Sequence, residues 1–532
     1  MEIKSYKFNK DFKQKFEEQE FKDYPLVYIL NNEKKAYVGE TTNVVSRMNA
    51  HIKDKRRKGI KNINLILSDE FNQSATYNIE TNLINYFIAE GKYELQNVSQ
   101  TKQKVMHNYK DKNYYNKIMF ERIWNELRAE EIVTQTIEQI ENKDVFKISP
   151  YKSLSTEQAE LKADILDFCK TNIINGTKGV YVVQGEAGTG KSVLISSLYN
   201  TIQDMSKLAT NDLAQTQNYL LVNHGEMLKT YHTLSKQLPN LKKKYIEKPT
   251  TFLNKVDRAD ITIIDEAHLL LSSRDSFNGF NGDNHLKDII DKSNVTILIY
   301  DPKQYLKVGS YWDNKILDQI LKTSKVNKKS KLVNQLRMNA SEASVDWMNS
   351  LVNKKILPIP YDENYIIKPF NSAKEMHEEI RKMNDSIGLS RVVSTFDFLH
   401  KKDGADYYVE TTDFKLPWNR EYKNKSWAEV DGTIDEVGSI YTIQGFDLNY
   451  VGVILGPSVK YDEDRDEIYI DIKEYKDTKA FSVPSTFDKS IDVNKVKEQI
   501  VLNSINVLLK RGIKGTYIYA YDDKLRSKLM EM

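Results

Sequence analysis

The sequence predicts a multidomain α/β protein in which a small α+β domain precedes two larger α/β units with parallel sheets. Its 532 residues correspond to three or four domains at roughly 150 residues each. Hydrophobic residues make up 40% and charged residues 29% of the chain, a balance that can bury cores. Beyond Pro150, short β-branched runs alternate with helical patterns, which is typical of parallel sheets with helical crossovers.

Three segments precede Pro150. Residues 1–22 are charged and carry phenylalanines at near-helical spacing, which predicts an N-terminal helical segment. Residues 23–105 contain two short strand patterns followed by helical ones, so we expect the small α+β domain there. In residues 106–149 the apolar side chains recur at helical intervals, which predicts a helical connector.

The two predicted α/β units occupy residues 150–330 and 331–532. Their predicted strands are short apolar runs: Val180–Val183, Tyr219–Val222, Ile261–Ile264 and Val295–Tyr300 in the first unit, and Arg391–Ser394, Tyr450–Leu455 and Thr516–Tyr519 in the second. Because these runs are apolar at nearly every position and helical segments separate them, we expect parallel sheets covered by helices.

Charge and cysteine usage exclude several classes of protein. The 78 Lys and Arg residues against 75 Asp and Glu give a net charge of +3, which excludes a uniformly basic nucleic-acid coat protein but allows local basic patches. A single cysteine, Cys169, excludes a disulfide framework and a cysteine-rich zinc site. No apolar run has membrane-spanning length and the start lacks a signal-peptide core, so we expect a cytoplasmic protein without a membrane partner.

A phosphate-binding motif begins the first α/β unit. The segment from Gly185 to Ser192 reads GEAGTGKS and lies between a predicted strand and a predicted helix, which is the context that the P-loop motif requires. Its candidate ligands for ATP and Mg²⁺ are Gly185, Gly188, Thr189, Gly190, Lys191 and Ser192. Backbone N–H groups would surround the phosphates, Lys191 would add a positive charge, and the Ser192 hydroxyl would bind the metal.

Two carboxylates follow the third predicted strand of this unit, at Asp265 and Glu266. An isolated Asp-Glu pair is typical of a solvated loop. At the end of a buried strand downstream of a P-loop, the pair instead indicates nucleotide hydrolysis. Asp265 would then reach the metal, and Glu266 would orient or deprotonate the attacking water.

At these motifs the chain resembles superfamily one helicases, and more closely the schlafen-like P-loop helicase family, over about Tyr151 to Asp522. The resemblance implies two RecA-like units, and it assigns nucleotide contact or coupling to Gln158, Gln304, Gln444 and Gly445 and catalysis to Arg337 and Arg511. The two arginines would come from the second unit and face the phosphates held by the first. Such a cleft closes on ATP and opens after hydrolysis.

A second set of functional candidates lies in the small domain. Tyr28 and Tyr37 fall on the two predicted strands, and Gly39 is the last residue of the second. Arg47 follows them, Glu80 lies in a helix that Gly91 is expected to end, and Asn97 comes last. This order resembles the GIY-YIG nuclease family over residues 23–100. One departure is Leu26-Val27 in place of the family's Gly-Ile.

The nuclease resemblance implies a role for each residue. Tyr28 would be the base or water-orienting phenol with Tyr37 beside it, and Arg47 would neutralise the scissile phosphate. Glu80 would hold Mg²⁺ or Mn²⁺, and Asn97 would order the site. Phosphodiester hydrolysis needs an activated water and stabilisation of the growing negative charge, which a metal and an arginine together supply.

A basic segment lies between these candidates. Its cations are Lys53, Lys55, Arg56, Arg57, Lys58 and Lys61. In an arbitrary protein such a run is a solvated loop, but beside a candidate nuclease site we interpret it as a patch that binds the phosphates of DNA. His51, at the start of this segment, is interpreted as a surface side chain in preference to a catalyst.

The combined hypothesis is an ATP-dependent nuclease-helicase or translocase that acts on nucleic acid, DNA in preference to RNA. The resemblance implies bacterial defence against phage or plasmids. Two alternatives stay open, namely a repair or replication-restart enzyme, and an ATP-switched sensor or scaffold with an inactive nuclease fold. A homo-oligomer is expected because a small nuclease domain often needs pairing to cut both strands.

Overall fold

The computed structural model describes residues 1–9, 22–97, 109–186, 188–238, 240–272, 274, 279–301, 303–311, 314–322, 324–336, 338–401, 403–422, 427–443, 446–484, 487 and 490–532. The chain divides into two compact units. The first consists of Met1–Lys162, Ser192–Gln215 and Lys229–Ile246, and the second of Ala163–Lys191, Thr216–Leu228 and Glu247–Met532. The predicted mixed α/β class, with a small domain ahead of parallel sheets, is confirmed.

A five-stranded sheet forms the centre of the first compact unit, the one that begins at Met1. Its strands are β1 (Glu2–Lys7), β2 (Lys22–Asn31), β3 (Lys35–Asn43), β4 (Asn62–Leu67) and β5 (Glu94–Leu95), in the order β1-β4-β2-β3-β5. β2 and β3 form the predicted antiparallel hairpin, in which Tyr28 lies opposite Gly39. β2 is fully buried from Leu26 to Leu30, as expected for a central strand covered on both faces.

The prediction for the N-terminal segment is wrong where the structure describes it. Glu2–Lys7 is a strand, not a helix, and pairs antiparallel with β4 from Glu2 opposite Leu67 to Lys7 opposite Asn62. Without this partner, that side of β4 would present a row of unpaired backbone N–H and C=O groups, and the pairing satisfies them. The rest of the predicted helix, residues 10–21, lies outside the described residues.

Helices pack on this sheet and continue into the connector. They are α1 (Val44–Lys53), α2 (Gln73–Glu90), α3 (Lys112–Tyr114), a π-helical segment (Tyr115–Met119), α4 (Phe120–Ala129), α5 (Ile137–Glu141) and α6 (Asp144–Lys147). Gly91 ends α2 in the left-handed conformation, as predicted. Trp124 of α4 is fully buried, with its ring 5.1 Å from that of Tyr86 on α2. From residue 109 on, where the structure describes the predicted connector, most of it is helical and packs against α2.

A six-stranded sheet carries the P-loop. Its strands are β6 (Gly179–Gly185), β7 (Asn218–Val222), β8 (Ile246–Glu247), β9 (Ala259–Asp265), β10 (Ser293–Tyr300) and β11 (Val326–Leu332), in the order β11-β6-β10-β9-β7-β8. The accompanying helices are α7 (Thr156–Ile174), α8 (Lys191–Lys207), α9 (Gly225–Gln237), α10 (Pro249–Lys255), α11 (His285–Lys292) and α12 (Asn314–Leu321). The four predicted strands are present and pair in parallel, as predicted.

A third sheet belongs to the second α/β region. The strands of this region are β12 (Ile366–Pro369), β13 (Arg391–Ser394), β14 (Tyr408–Glu410), β15 (Lys415–Pro417), β16 (Val437–Gly438), β17 (Leu448–Leu455), β18 (Val459–Asp462), β19 (Glu467–Ile470) and β20 (Gly512–Ala520). Five of them form a parallel sheet in the order β12-β20-β17-β13-β16. The other four form two hairpins, β14-β15 and β18-β19. All three strands predicted here are confirmed.

The helices of the same region are α13 (Glu342–Val352), α14 (Ala373–Ile387), α15 (Ile440–Ile443), α16 (Val493–Leu509) and α17 (Asp523–Met530). α16 contributes a buried face from Ile500 to Leu509, and it leads through two residues into β20, which lies between β12 and β17 in the sheet. This short connection brings Lys510 and Arg511 to the start of β20. In the described part of the chain, no helix combines the length and apolarity needed to cross a bilayer.

Candidate nuclease and nucleotide-binding sites

Tyr28 lies at the centre of the candidate nuclease site. It is fully buried on β2, and its ring crosses the hairpin over Gly39 of β3. A Cβ atom at position 39 would collide with the Tyr28 hydroxyl, so the glycine is required by this close approach. Burial, followed by the neighbouring Tyr37, raises the pKa of Tyr28 above its ordinary value, which keeps the phenol protonated at neutral pH.

Arg47 joins the two tyrosines. Its Nε donates to the Tyr28 hydroxyl at 2.9 Å and its Nη2 to the Tyr37 hydroxyl at 3.3 Å. α1 supplies the arginine, and Asn43 caps this helix by accepting from the Ser46 N–H at 2.9 Å. The three residues that the sequence placed in one site are therefore in direct contact.

His51 is part of the same cluster, so its interpretation as a surface residue is wrong. It is only 5% exposed, and its Nε2 lies 2.8 Å from the Tyr28 hydroxyl. Arg57 Nε donates to His51 Nδ1 at 3.4 Å, so we assign the ring proton to Nε2, which donates to Tyr28. Burial, then the charges of Arg47 and Arg57, lowers the pKa of His51 to about 4.

Arg57 is also inside the site, which corrects its placement in the exposed basic patch. Its guanidinium lies 3.9 Å from the centre of the Tyr37 ring, and Nη1 donates to Gln96 Oε1 at 2.9 Å. Only 5% of Arg57 is exposed. The patch that reaches solvent consists of Lys53, Lys55, Arg56, Lys58 and Lys61.

The i, i+4 spacing of Arg47 and His51 is the sequence signal that could have placed His51 in the site. Residues at this spacing share one face of a helix, and Arg47 already belonged to the predicted site. For Arg57 the sequence offers no comparable signal. It follows α1 in a 3₁₀ turn (Lys55–Arg57), and its burial depends on long-range contacts with Tyr37 and Gln96.

Glu80 and Asn97 complete the nuclease set. Glu80 is half-buried on α2, and its charge acts on the Tyr28 phenol. Asn97 accepts from the Val38 N–H at 3.0 Å and donates to the Val38 carbonyl at 2.7 Å, which holds β3 next to Tyr37 and Gly39. No group of three or more His, Cys, Asp or Glu side chains with metal-binding geometry occurs among the described residues. A divalent ion bound by Glu80 would therefore need water and substrate phosphate oxygens as its other ligands.

Lys191 is held by its own loop at the nucleotide site. Its Nζ donates to the carbonyls of Gly185 and Glu186, both at 2.8 Å, and lies 3.5 Å from Asp301 Oδ2. Gly188 and Gly190 have φ values of 87° and 73°, a left-handed conformation that favours glycine. The strand β6, the loop and the start of α8 follow the order that the motif predicts.

Glu266 forms a buried pair with His268 after β9. His268 Nε2 lies 2.9 Å from Glu266 Oε2, and the Asp301 N–H donates to His268 Nδ1 at 3.4 Å. Burial acts to raise the pKa of Glu266, but the charges of His268 and Lys191 outweigh it and lower the pKa well below its ordinary value. An ionised carboxylate at this position can accept a proton from water.

Gln304 reaches the same cluster from the end of β10. Its Nε2 donates to Asp301 Oδ2 at 2.6 Å, the oxygen that also faces Lys191. The ends of the neighbouring strands β6, β9 and β10 therefore bring Lys191, Glu266 and Gln304 to one edge of the sheet. These three residues of the predicted ATP site therefore lie together, while the role of each stays a prediction.

Comparison with known families identifies both regions. Residues 178–522 match the family model "Schlafen group 3, DNA/RNA helicase domain", and residues 24–94 match the "GIY-YIG catalytic domain". The chain belongs to the Schlafen group 3 helicase family. It carries a GIY-YIG domain ahead of the helicase domain, and the resemblance stated from the sequence is confirmed.

Three individual proteins are similar to this chain. A protein of Saccharomyces cerevisiae named uncharacterized protein YPL245W is 40% identical over 414 residues, which span 71% of this chain and 90% of the relative. A Pif1 helicase from Bacteroides, solved in complex with ADP-AlF3 and ssDNA, is 11% identical and has a TM-score of 0.25, with coverage of 70% of this chain and 93% of that one. Mss116p bound to ssRNA and AMP-PNP is 12% identical, with a TM-score of 0.26 and coverage of 67% and 61%.

The structure describes only some of the helicase residues that the sequence predicts for this Schlafen group 3 protein. Arg337, Gln444 and Gly445 lie outside the described residues, although the Leu336 N–H before Arg337 donates to the P-loop carbonyl of Gly188 at 2.8 Å. Gln158 is buried, and its side chain accepts from the Ser155 N–H at 3.0 Å.

The remaining predicted ATP-site residues also have local partners. Thr189 Oγ1 donates to the Glu186 carbonyl at 3.0 Å, and Ser192 follows Lys191 in the first turn of α8. Asp265 is buried and accepts from the Glu266 N–H at 2.9 Å. Arg511 donates from Nη1 to the Phe446 carbonyl at 3.0 Å, which holds it within the second α/β region.

Proposed function

We propose that this protein is a metal-dependent nuclease whose action on DNA is coupled to ATP hydrolysis by the helicase domain. The observation that carries the nuclease part is the Tyr28 hydroxyl, which Arg47 and His51 both contact within 3 Å. The ATPase part is supported by Lys191, Glu266 and Gln304, which lie at the ends of three adjacent strands. Both domains belong to families described by catalytic or helicase function.

At the scissile phosphate, Arg47 would neutralise negative charge and Tyr28 would orient the attacking water. With the ring proton of His51 assigned to Nε2, the two lone pairs of the Tyr28 oxygen accept from Arg47 and His51. When Arg47 turns to a phosphate, one of these lone pairs becomes free to accept a hydrogen bond from the attacking water, and the arginine neutralises charge on the phosphate. A divalent metal at Glu80 would supply Lewis-acid stabilisation of the leaving oxygen.

The helicase domain would hydrolyse ATP with the residues of the P-loop edge. Lys191 would exchange the carbonyls of Gly185 and Glu186 for phosphate oxygens. Glu266, held ionised beside His268, would orient and deprotonate water, and Asp265 with Ser192 would hold Mg²⁺. Asp301 connects Glu266 to Lys191, because its backbone contacts His268 and its carboxylate contacts the lysine.

DNA is the substrate that we propose, with RNA as the alternative. The five exposed cations of the patch lie at the end of α1, the helix that provides Arg47 and His51, and on the segment that follows it. Nucleic acid held by the patch would therefore pass close to the site. A homo-oligomer would place two such nuclease sites on a duplex.

Cleavage and ATP hydrolysis would be measured on one set of proteins. Wild type, Arg47→Ala and Lys191→Ala would be incubated with plasmid, single-stranded DNA or RNA, with Mg²⁺ or Mn²⁺, with and without ATP. The matched controls are Arg465→Ala and Lys382→Ala, which remove side chains that are 74% and 67% exposed and lie outside both sites. We expect cleavage of DNA to require Arg47, and its dependence on ATP to require Lys191.

Three other results would each contradict one part of this proposal. Wild type that hydrolyses ATP in response to DNA but never cuts would replace the nuclease by an ATP-switched sensor. Faster cleavage of RNA than of DNA would reverse the substrate assignment. Cleavage by Arg47→Ala at the wild-type rate would contradict the catalytic site described above.

We propose defence against phage or plasmid DNA as the biological role. A second role, genome repair, is favoured by one observation: a relative 40% identical occurs in a yeast, which phages do not infect. Deletion strains separate the two roles. A defence protein should lower phage plating or plasmid uptake and leave resistance to DNA damage unchanged, and a repair protein should do the reverse.

A further inference from the structure

Lys510 is a buried cation that the mechanism above does not use. It lies between α16 and β20, directly before Arg511, and is 2% exposed. Its Nζ donates to Asn349 Oδ1 at 2.6 Å and lies 4.0 Å from Glu186 Oε2. The lysine belongs to the second α/β region, whereas Glu186 is part of the P-loop. One ammonium group therefore reaches from the second region to the phosphate-binding loop.

Burying an ammonium group is costly unless negative charge compensates it. Burial lowers the pKa of Lys510, while the charges of Glu186 and Asp301 act in the opposite direction and that of Lys303 adds to the lowering. Asp301 is the residue whose carboxylate lies 3.5 Å from Lys191 Nζ. Asp301 is therefore an anion that acts on both Lys510 and the P-loop lysine.

The Glu186 carboxylate lies near one lysine from each of the two α/β regions. Lys303 of the first region lies 2.7 Å from Glu186 Oε1, and Lys510 of the second lies 4.0 Å from Oε2. The carboxylate is half-exposed at 46%, so the pair with Lys303 is a weak surface ion pair. A triphosphate placed in the loop carries more negative charge than this one carboxylate, and it would compete for both cations.

We propose that Lys510 is a nucleotide-contacting residue that moves from Glu186 to the terminal phosphate of ATP and so links the second α/β region to the P-loop. This inference rests on the proposed ATPase function. Its flexible four-carbon stem and point charge suit such an exchange. Arg511, the cation expected from the sequence, is instead held by the Phe446 carbonyl and lies 3.9 Å from Asp447 Oδ1.

The test compares Lys510→Met with Lys510→Arg and with Lys382→Met, which removes an exposed lysine of α14. Steady-state ATP hydrolysis and the binding of fluorescent ATP and ADP analogues would be measured on the full chain. We expect Lys510→Met to lower kcat by roughly 10- to 100-fold and to weaken ATP binding while ADP binding stays within about twofold, because ADP lacks the terminal phosphate. Lys510→Arg should recover most of the activity, and Lys382→Met should match wild type.

Glu186→Gln gives a second reading that does not depend on removing a buried side chain. Once the Glu186 carboxylate is removed, Lys510 no longer has to break an ion pair before it contacts the phosphate. We therefore expect ATP to bind more tightly relative to ADP than in wild type. An unchanged ratio of ATP to ADP affinity in Glu186→Gln would overturn the inference. So would equal losses of ATP and ADP binding in Lys510→Met, which indicate a structural role.

The outcomes also separate this inference from the proposed function. If wild type lacks ATPase activity, the proposed function fails. If wild type is active, Lys191→Ala is inactive and a folded Lys510→Met hydrolyses ATP at the wild-type rate, only the role of Lys510 fails. Thermal unfolding of each variant would show whether it is folded.

Discussion

The nuclease site and the nucleotide site differ in what their functional side chains contact. In the nuclease site the functional side chains contact one another, since Arg47, which the sequence predicted, and His51, which it did not, both hydrogen-bond the Tyr28 hydroxyl. In the nucleotide site the cations contact the protein's own anions and carbonyls. Lys191 donates to the carbonyls of its loop, and Lys510 lies near a loop carboxylate.

This difference indicates that the two sites respond differently to their substrates. A site whose groups already hold one another in place needs little rearrangement before it acts. A site whose cations must give up protein partners for phosphate couples binding to a change of conformation. We therefore expect Tyr28 and its strand to stay fixed while Arg47 alone turns towards the substrate, and we expect nucleotide binding to change the conformation around the P-loop.

The largest predicted effect is at the nucleotide site. Glu266→Gln removes the ionised carboxylate beside His268, and we expect ATP hydrolysis to fall on the order of 10²- to 10⁴-fold. Nucleotide binding should persist, because Lys191 and its loop are untouched. ATP turnover and nucleotide affinity would be measured together, with the exposed Glu410→Gln as the control. Loss of binding in parallel with turnover would mean that Glu266 supports the loop and does not act on water.

Gly39→Ala tests whether the nuclease site is fixed. A methyl group there would collide with the Tyr28 hydroxyl, which Arg47 and His51 hold from the other side. A rigid site cannot absorb such a collision, so we expect roughly a 10- to 100-fold fall in DNA cleavage with ATP hydrolysis unchanged. Gly225→Ala is the control, since a Cβ there meets no atom within 4 Å. Normal cleavage by Gly39→Ala would show that Tyr28 can move.

The buried His51 side chain gives the nuclease site a pH-dependent contribution to stability. Its pKa is about 4 in the folded protein, against 6.5 for the free side chain, so the unfolded chain binds more protons between these values. Stability is therefore intact above about pH 6.5 and is lost progressively as the pH falls towards 4. His51→Gln removes this titration, and its apparent unfolding midpoint should change less over that range than that of wild type. Parallel curves for the two proteins would contradict the buried neutral histidine.

Most of the fold could be predicted from the sequence because its strands are strong local patterns. Ile261–Ile264 and Val295–Tyr300 are apolar at almost every position, as a strand covered on both faces must be. β1 could not be predicted in this way. Five of the six side chains of Glu2–Lys7 are charged or carry a hydroxyl group. The conformation of this segment depends on pairing with β4, which is distant in the sequence.

The site residues also differ in whether the sequence alone could predict them. P-loop and Asp-Glu residues could be predicted because each motif is contiguous and its context is a strand end. Arg57 could not, because its partners Tyr37 and Gln96 come from other parts of the chain. For Lys510 the sequence shows only a lysine beside an arginine, and its distance to Glu186 exists only once the two α/β regions are assembled.

The smallest predicted effect is that of changing Asn97, at the edge of the nuclease site. Asn97→Ala removes two hydrogen bonds to the Val38 backbone, which hold β3 without touching the reacting groups. Net contributions of such bonds are about 1 kcal/mol each, so we expect a lower unfolding temperature and only a roughly two- to tenfold fall in cleavage. Asn175→Ala, on an exposed asparagine, is the control. A loss of cleavage as large as that of Arg47→Ala would instead place Asn97 among the groups that contact the substrate, and the nuclease site would then extend beyond the cluster around Tyr28.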